Sequence, residues 1–104
     1  MKVITICSSL KFFEEIQYYT EKLELEGNCV LGIIYTTKSK ENYTSEEIRS
    51  LSLGHKKKID LSDAIFVINK NGYIGDSVRK EIEHAKRTNK EIMYLENDGI
   101  ENNK

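Results

Sequence analysis

Asp60-Leu-Ser-Asp-Ala-Ile-Phe-Val-Ile-Asn69, Lys70-Asn-Gly-Tyr-Ile-Gly75 and Asp76-Ser-Val-Arg-Lys-Glu-Ile-Glu-His-Ala85 follow one another without a break. The first segment ends in an apolar run, Ala64 to Ile68, rich in β-branched residues and short enough for a strand buried on both faces. The second carries Gly72 and Gly75, where the chain must turn away from that strand. The third opens with Asp76 and Ser77, both good N-cap residues. Val78, Ile82 and Ala85 then recur at i, i+4 and i+7, the stripe of an amphipathic helix. Strand, glycine loop and helix start, in that order, form one wall of a ligand crevice in a parallel α/β sheet.

Earlier in the chain the same alternation repeats. Val3 to Cys7 is mostly apolar and suits a central strand. Ser8 to Lys11 turns into a helix from about Phe12 to Glu26, whose stripe is Phe12, Ile16, Tyr19 and Leu23. Gly27 is placed to stop it. Cys29 to Tyr35 reads as a second strand and Thr36 to Tyr43 as a polar surface loop. Thr44-Ser-Glu-Glu47 has the form of a capping box that opens a helix toward Leu61, with Gly54 as a point of interruption. After the third helix, ended by Asn89 and Lys90, Glu91 to Leu95 is the fourth strand. The order βαβαβαβ predicts parallel strands with right-handed crossovers, a flavodoxin-like or Rossmann-like three-layer α/β fold. The predicted strand order is 2-1-3-4, which brings the loops after strands one and three into one crevice. Residues 1–96 make the domain and 97–104 a polar C-terminal tail.

Composition narrows the functional classes. A chain of 104 residues fits one domain. A formal net charge of -1 gives no field that favours nucleic acid or an anionic membrane. Lys56 to Lys58 is too short a basic run to change that. No apolar stretch approaches the ~20 residues of a membrane span, and Met1 to Cys7 lacks the features of a signal peptide. Cys7 and Cys29 lie in apolar stretches and read as reduced, buried thiols. Cytoplasmic location is the expectation. No Cys/His cluster has metal-ligand spacing, so neither metal nor cofactor is expected.

Several side chains are candidates for chemistry, each with a plainer reading beside it. Glu81 stands one turn after Ser77, and a nearby helix N-terminus favours its ionised form. A carboxylate over a crevice suits attack on an anomeric carbon; the plainer reading, favoured by local spacing alone, is that Glu81 pairs with a neighbouring lysine or decorates a solvent face. Ser8 and Ser9 can offer hydroxyls and N–H groups to a sugar or phosphate, or serve only as caps. Lys11 and Arg79 would place positive charge near a phosphate, or remain solvated. Tyr73 can stack on a base or pack on its own loop. Asn69, Gly72 and Gly75 line the same loop. Asp60 and Asp63 sit at the opposite end of the strand as caps, and His55 and His84 read as exposed.

Taken together, Ile4 to Phe12, Lys58 to Asn69, Gly72 to Lys86 and Asn89 to Leu95 resemble the nucleoside 2-deoxyribosyltransferase-like superfamily, which includes deoxynucleoside 5'-monophosphate N-glycosidases. The resemblance covers most of the chain except the Thr36 to Tyr43 region. It implies that Glu81 corresponds to the glutamate that attacks C1' to form a glycosyl-enzyme. It implies too that Ser77 lies near the sugar or phosphate and that Ser8 and Ser9 form the first-strand loop. Two departures stand out. Asn69 occupies the place of a family aspartate that assists proton transfer to the base, and the hydroxyl of Ser77 is displaced by one position relative to the family pattern. The expected function is N-glycosidic cleavage or base exchange on a nucleoside or nucleotide. The alternative is a non-catalytic nucleotide-binding protein of the same fold. A phosphoacceptor domain would need an acid where Asn69 or Cys7 stands. The short chain and its strand edges leave room for a homodimer.

Overall fold

The computed structural model describes residues 1–97; of the expected tail, positions 98–104 lie outside the described residues. Four parallel strands, β1 (Val3–Cys7), β2 (Cys29–Leu31), β3 (Ala64–Val67) and β4 (Glu91–Tyr94), form one sheet in the order β2-β1-β3-β4. Register places Ile4 opposite Ala64 and Cys7 opposite Val67, while Val3 faces Cys29 and Val67 faces Tyr94. The predicted topology is the observed one. Among the described residues no helix is long and apolar enough to cross a membrane.

Alternation along the central strands builds two cores. Ile4 and Ile6 of β1 join Ala64, Phe66 and Ile68 against α1 (Phe13–Leu25), which contributes Ile16 and Leu23. Cys7 joins Ile65 and Val67 on the other face against α2 (Ser45–Asp60) and α3 (Asp76–Arg87), which contribute Ile59, Val78, Ile82 and Ala85. Each fully buried isoleucine is worth roughly 1.5–3 kcal/mol of transfer free energy. One helix on one face and two on the other make the winding reverse between β1 and β3. That reversal sets the loops after β1 and β3 side by side at the C-terminal ends of the strands.

A polar pin crosses the second core. Thr5, fully buried mid-strand, donates its hydroxyl to the Ser62 hydroxyl at 2.5 Å, and its oxygen lies 3.1 Å from the Lys58 carbonyl of α2. Ser62 in turn donates to the same Lys58 carbonyl at 2.7 Å.

Helix ends follow local chemistry. Gly27, at φ 96°, closes α1: Asn28 N donates to the Leu23 carbonyl and Gly27 N to the Glu24 carbonyl. Asn89, at φ 60°, does the same for α3, with Lys90 N donating to the Ala85 carbonyl. The capping box is formed, Glu47 N donating to Thr44 and Thr44 N donating to the Glu47 carboxylate.

Four expectations change. The second strand ends at Leu31, not Tyr35: its pairing with β1 stops at Thr5 and Leu31, and the next carbonyl, of Gly32, accepts from the Lys58 ammonium at 2.7 Å. Ile34 and Tyr35 are exposed beyond it. Gly54 does not interrupt α2, which runs unbroken through it. The N-cap of α3 is Gly75, with Asp76 and Ser77 already in its first turn. His55 is not exposed, since it lies one turn before the fully buried Ile59 and shares its inward face.

Candidate functional site

Three side chains from three elements meet where β1 ends between α2 and α3. Cys7 closes β1 and points to the α2/α3 side, His55 comes from the middle of α2, and Glu81 from the second turn of α3. Cys7 Sγ lies 3.7 Å from His55 Nε2, and the same nitrogen lies 3.6 Å from Glu81 Oε1. All three polar atoms fall within 4.8 Å of one another. Cys7 is fully buried, while the side chains of His55 and Glu81 retain 11% and 19% of their exposure. The group is therefore reached from the His55 and Glu81 side.

Burial sets the protonation states. It pushes the Glu81 carboxyl up to about 7, against a hydrogen bond with the Cys7 thiol that lowers it. It holds His55 down at about 4, helped by the Lys58 charge and opposed by the Ile6 backbone. Burial, and then the Glu81 charge, drives the Cys7 thiol well above its ordinary range. A His–carboxylate contact at 3.6 Å would normally raise the imidazole and lower the acid. Here desolvation outweighs that attraction, so at neutral pH the ring is uncharged and the contact is no ion pair. The expectation that the helix N-terminus keeps Glu81 ionised fails for the same reason. Glu81 is the sixth residue of α3, beyond the first turn where the dipole acts. Nor does any lysine or arginine pair with it among the described residues, which removes the plain surface-pairing reading.

The loops after β1 and β3 are stitched together by side chains. Lys11 Nζ sits 3.4 Å from the centroid of the Tyr73 ring, and Phe12 meets that ring edge-on at 5.9 Å. Tyr73 also leans over Gly75, where an added Cβ would come within 3.2 Å of the phenol oxygen. The loop after β3 winds through Lys70–Gly72, with Asn71 at φ 56° and Gly72 at φ 77°. Lys70 is tied to Glu15 of α1 at 2.7 Å. Ser9 caps the turn after β1 by accepting from Lys11 N, and Ser8 donates to the Ser9 carbonyl.

Other candidates are placed differently. Asn69 is buried and spent on structure: its Nδ2 donates to the Glu96 carbonyl and its Oδ1 accepts from Glu96 N, both at 2.8 Å. Ser77 and Arg79 are exposed on α3, Arg79 donating to the Ile74 carbonyl. Asp63 accepts from Val3 N and Asp60 meets His84 at 2.7 Å, both at the far end of the sheet as expected. Two open depressions line the start of α2 around Tyr43, one reaching Glu47 and Leu51 and the other Lys40 and Ile48. Neither borders Glu81.

Sequence pattern alone singles out neither Cys7 nor His55 for chemistry. His55 did carry a signal, falling with Ile48, Ser52 and Ile59 on one helical stripe. A half-buried acid beside a neutral imidazole in a parallel-sheet crevice can hold or exchange a proton near neutral pH, or act as a nucleophile once ionised. The chain matches no protein-family model and no curated protein.

Proposed function

We propose that this chain breaks the N-glycosidic bond of a nucleoside or nucleotide, with Glu81 as the attacking carboxylate. The supporting observation is the placement of Glu81: its side chain keeps 19% of its exposure, it has no lysine or arginine partner among the described residues, and it lies next to the end of β1. Resemblance to the nucleoside 2-deoxyribosyltransferase-like superfamily supplies the reaction class.

In this reading a Glu81 oxygen bonds to C1' as the C1'–N bond breaks, and the bonding pair leaves with the base. Water, or a second base, then attacks C1' and releases Glu81. Asn69 cannot protonate the departing base, since its amide is no acid and both its polar atoms are engaged. Solvent supplies that proton. Lys11, at the lip of the crevice, is the cation best placed for a 5'-phosphate, and its release from Tyr73 would free the ring to stack on a base. Two free cysteines fit the reducing cytoplasm that we assign as its location.

The test is release of free base from a panel of nucleosides and 5'-monophosphates by wild type and Glu81→Gln. Release by wild type that the substitution abolishes is the expected result. Because the nucleophile must be ionised, the rate should rise with pH through about 7 and then level off. A panel with no release, in which nucleotides still raise the melting temperature, would replace this reading with a non-catalytic nucleotide-binding protein.

A further inference from the structure

The Cys7, His55 and Glu81 side chains bring a sulfur, an imidazole nitrogen and a carboxylate oxygen to one point, from positions far apart in the chain. Tetrahedral zinc, with bonds of about 2.3 Å to sulfur and 2.0–2.2 Å to nitrogen or oxygen, spaces its ligand atoms roughly 3.3–3.6 Å apart. The observed S–N and N–O separations, 3.7 and 3.6 Å, are close to those edges, and the third edge closes within 4.8 Å. The supports are rigid: a central strand and the interiors of two helices.

We propose that Cys7, His55 and Glu81 form a three-ligand site for a borderline transition-metal dication, zinc above all, with its fourth position toward the crevice. The donor set argues for that class. Thiolate and imidazole select zinc-like ions over magnesium or calcium, which prefer oxygen cages. Three protein ligands leave one position open for water or another ligand. Binding releases the thiol proton to solvent and bonds the thiolate to the ion, with no change of oxidation state. Occupancy also takes Glu81 out of action, so zinc acts as an inhibitor; this second half rests on the glycosidic reading, whereas the site itself does not.

Cobalt(II) serves as the spectroscopic probe on the full, chelator-treated chain. The expected result is one ion per chain, with a thiolate-to-cobalt charge-transfer band and tetrahedral visible bands, both displaced by zinc. Cys7→Ser should abolish the charge-transfer band, and Cys29→Ser should leave it intact. His55→Gln keeps both thiols and should lose the tetrahedral bands, which covers the case in which Cys7→Ser does not fold by circular dichroism. Absence of the bands in wild type, or their survival in both Cys7→Ser and His55→Gln, overturns the site. Bands without base release from any substrate keep the site and sink the glycosidic reading. Base release that zinc leaves untouched, in a chain that binds cobalt as described, overturns the inhibitory half alone.

Discussion

Glu81 and His55 titrate in opposite senses, and their opposition is measurable. The folded chain holds the Glu81 proton up to about 7 against an ordinary 4.5, so this group's contribution to stability falls as pH rises through that window. His55 stays neutral down to about 4 against an ordinary 6.5, so its contribution is lost as pH falls through that range. In the metal-free wild type the two slopes largely cancel where the windows overlap. Glu81→Gln should unmask His55: stability then drops on acidification, by at most about 3 kcal/mol over the full span. His55→Gln should reverse the slope. Urea midpoints followed across the overlap decide this, and a Glu81→Gln chain that grows more stable in acid would refute it. Little of this was legible in the sequence. A close look at α2 shows His55 in phase with Ile59, but the adjacent Lys56 to Lys58 run makes that turn look solvated. Its meeting with Cys7 and Glu81 exists only in three dimensions.

At the level of elements, sequence and structure agree wherever one local rule suffices. The stripes of α1 and α3, the capping box of α2 and the apolar β1 and β3 each declare themselves within a few residues. Gly32 to Tyr35 has the composition of a strand, and only the loss of pairing with β1 beyond Leu31 shows that it is not one. Asn69 is the other instance. Its amide was expected in the crevice, but it bonds to both backbone groups of Glu96 and so continues the β3–β4 pairing past the last ladder residue. Asn69→Ala leaves those groups unpaired and should cost about 2 kcal/mol by denaturant unfolding, with the fold retained. Positive φ at the helix stops gives a sharper contrast. Gly27→Ala should destabilise by about 1 kcal/mol, whereas Asn89→Gly should be neutral or better. Equal losses at the two positions would contradict the capping geometry.

For the whole molecule, the order β2-β1-β3-β4 with α1 alone on one face is what puts Ser8, Lys11, Tyr73 and Glu81 at one end of the sheet. That much follows from the βα alternation and the crossover rule. What the alternation does not encode is how each helix is turned about its own long axis, and this is where the Thr5 hydroxyl matters. A helix held to a sheet by aliphatic side chains alone rolls in a broad, shallow energy well, because dispersion has little directional preference. Thr5 and Ser62 fasten α2 by directional bonds within a turn of His55, so the azimuth of the imidazole is inherited from a strand residue. Thr5→Val would keep strand, packing volume and helix content while letting α2 librate. Its signature would be exchange-broadened His55 ring resonances in an otherwise well-dispersed spectrum.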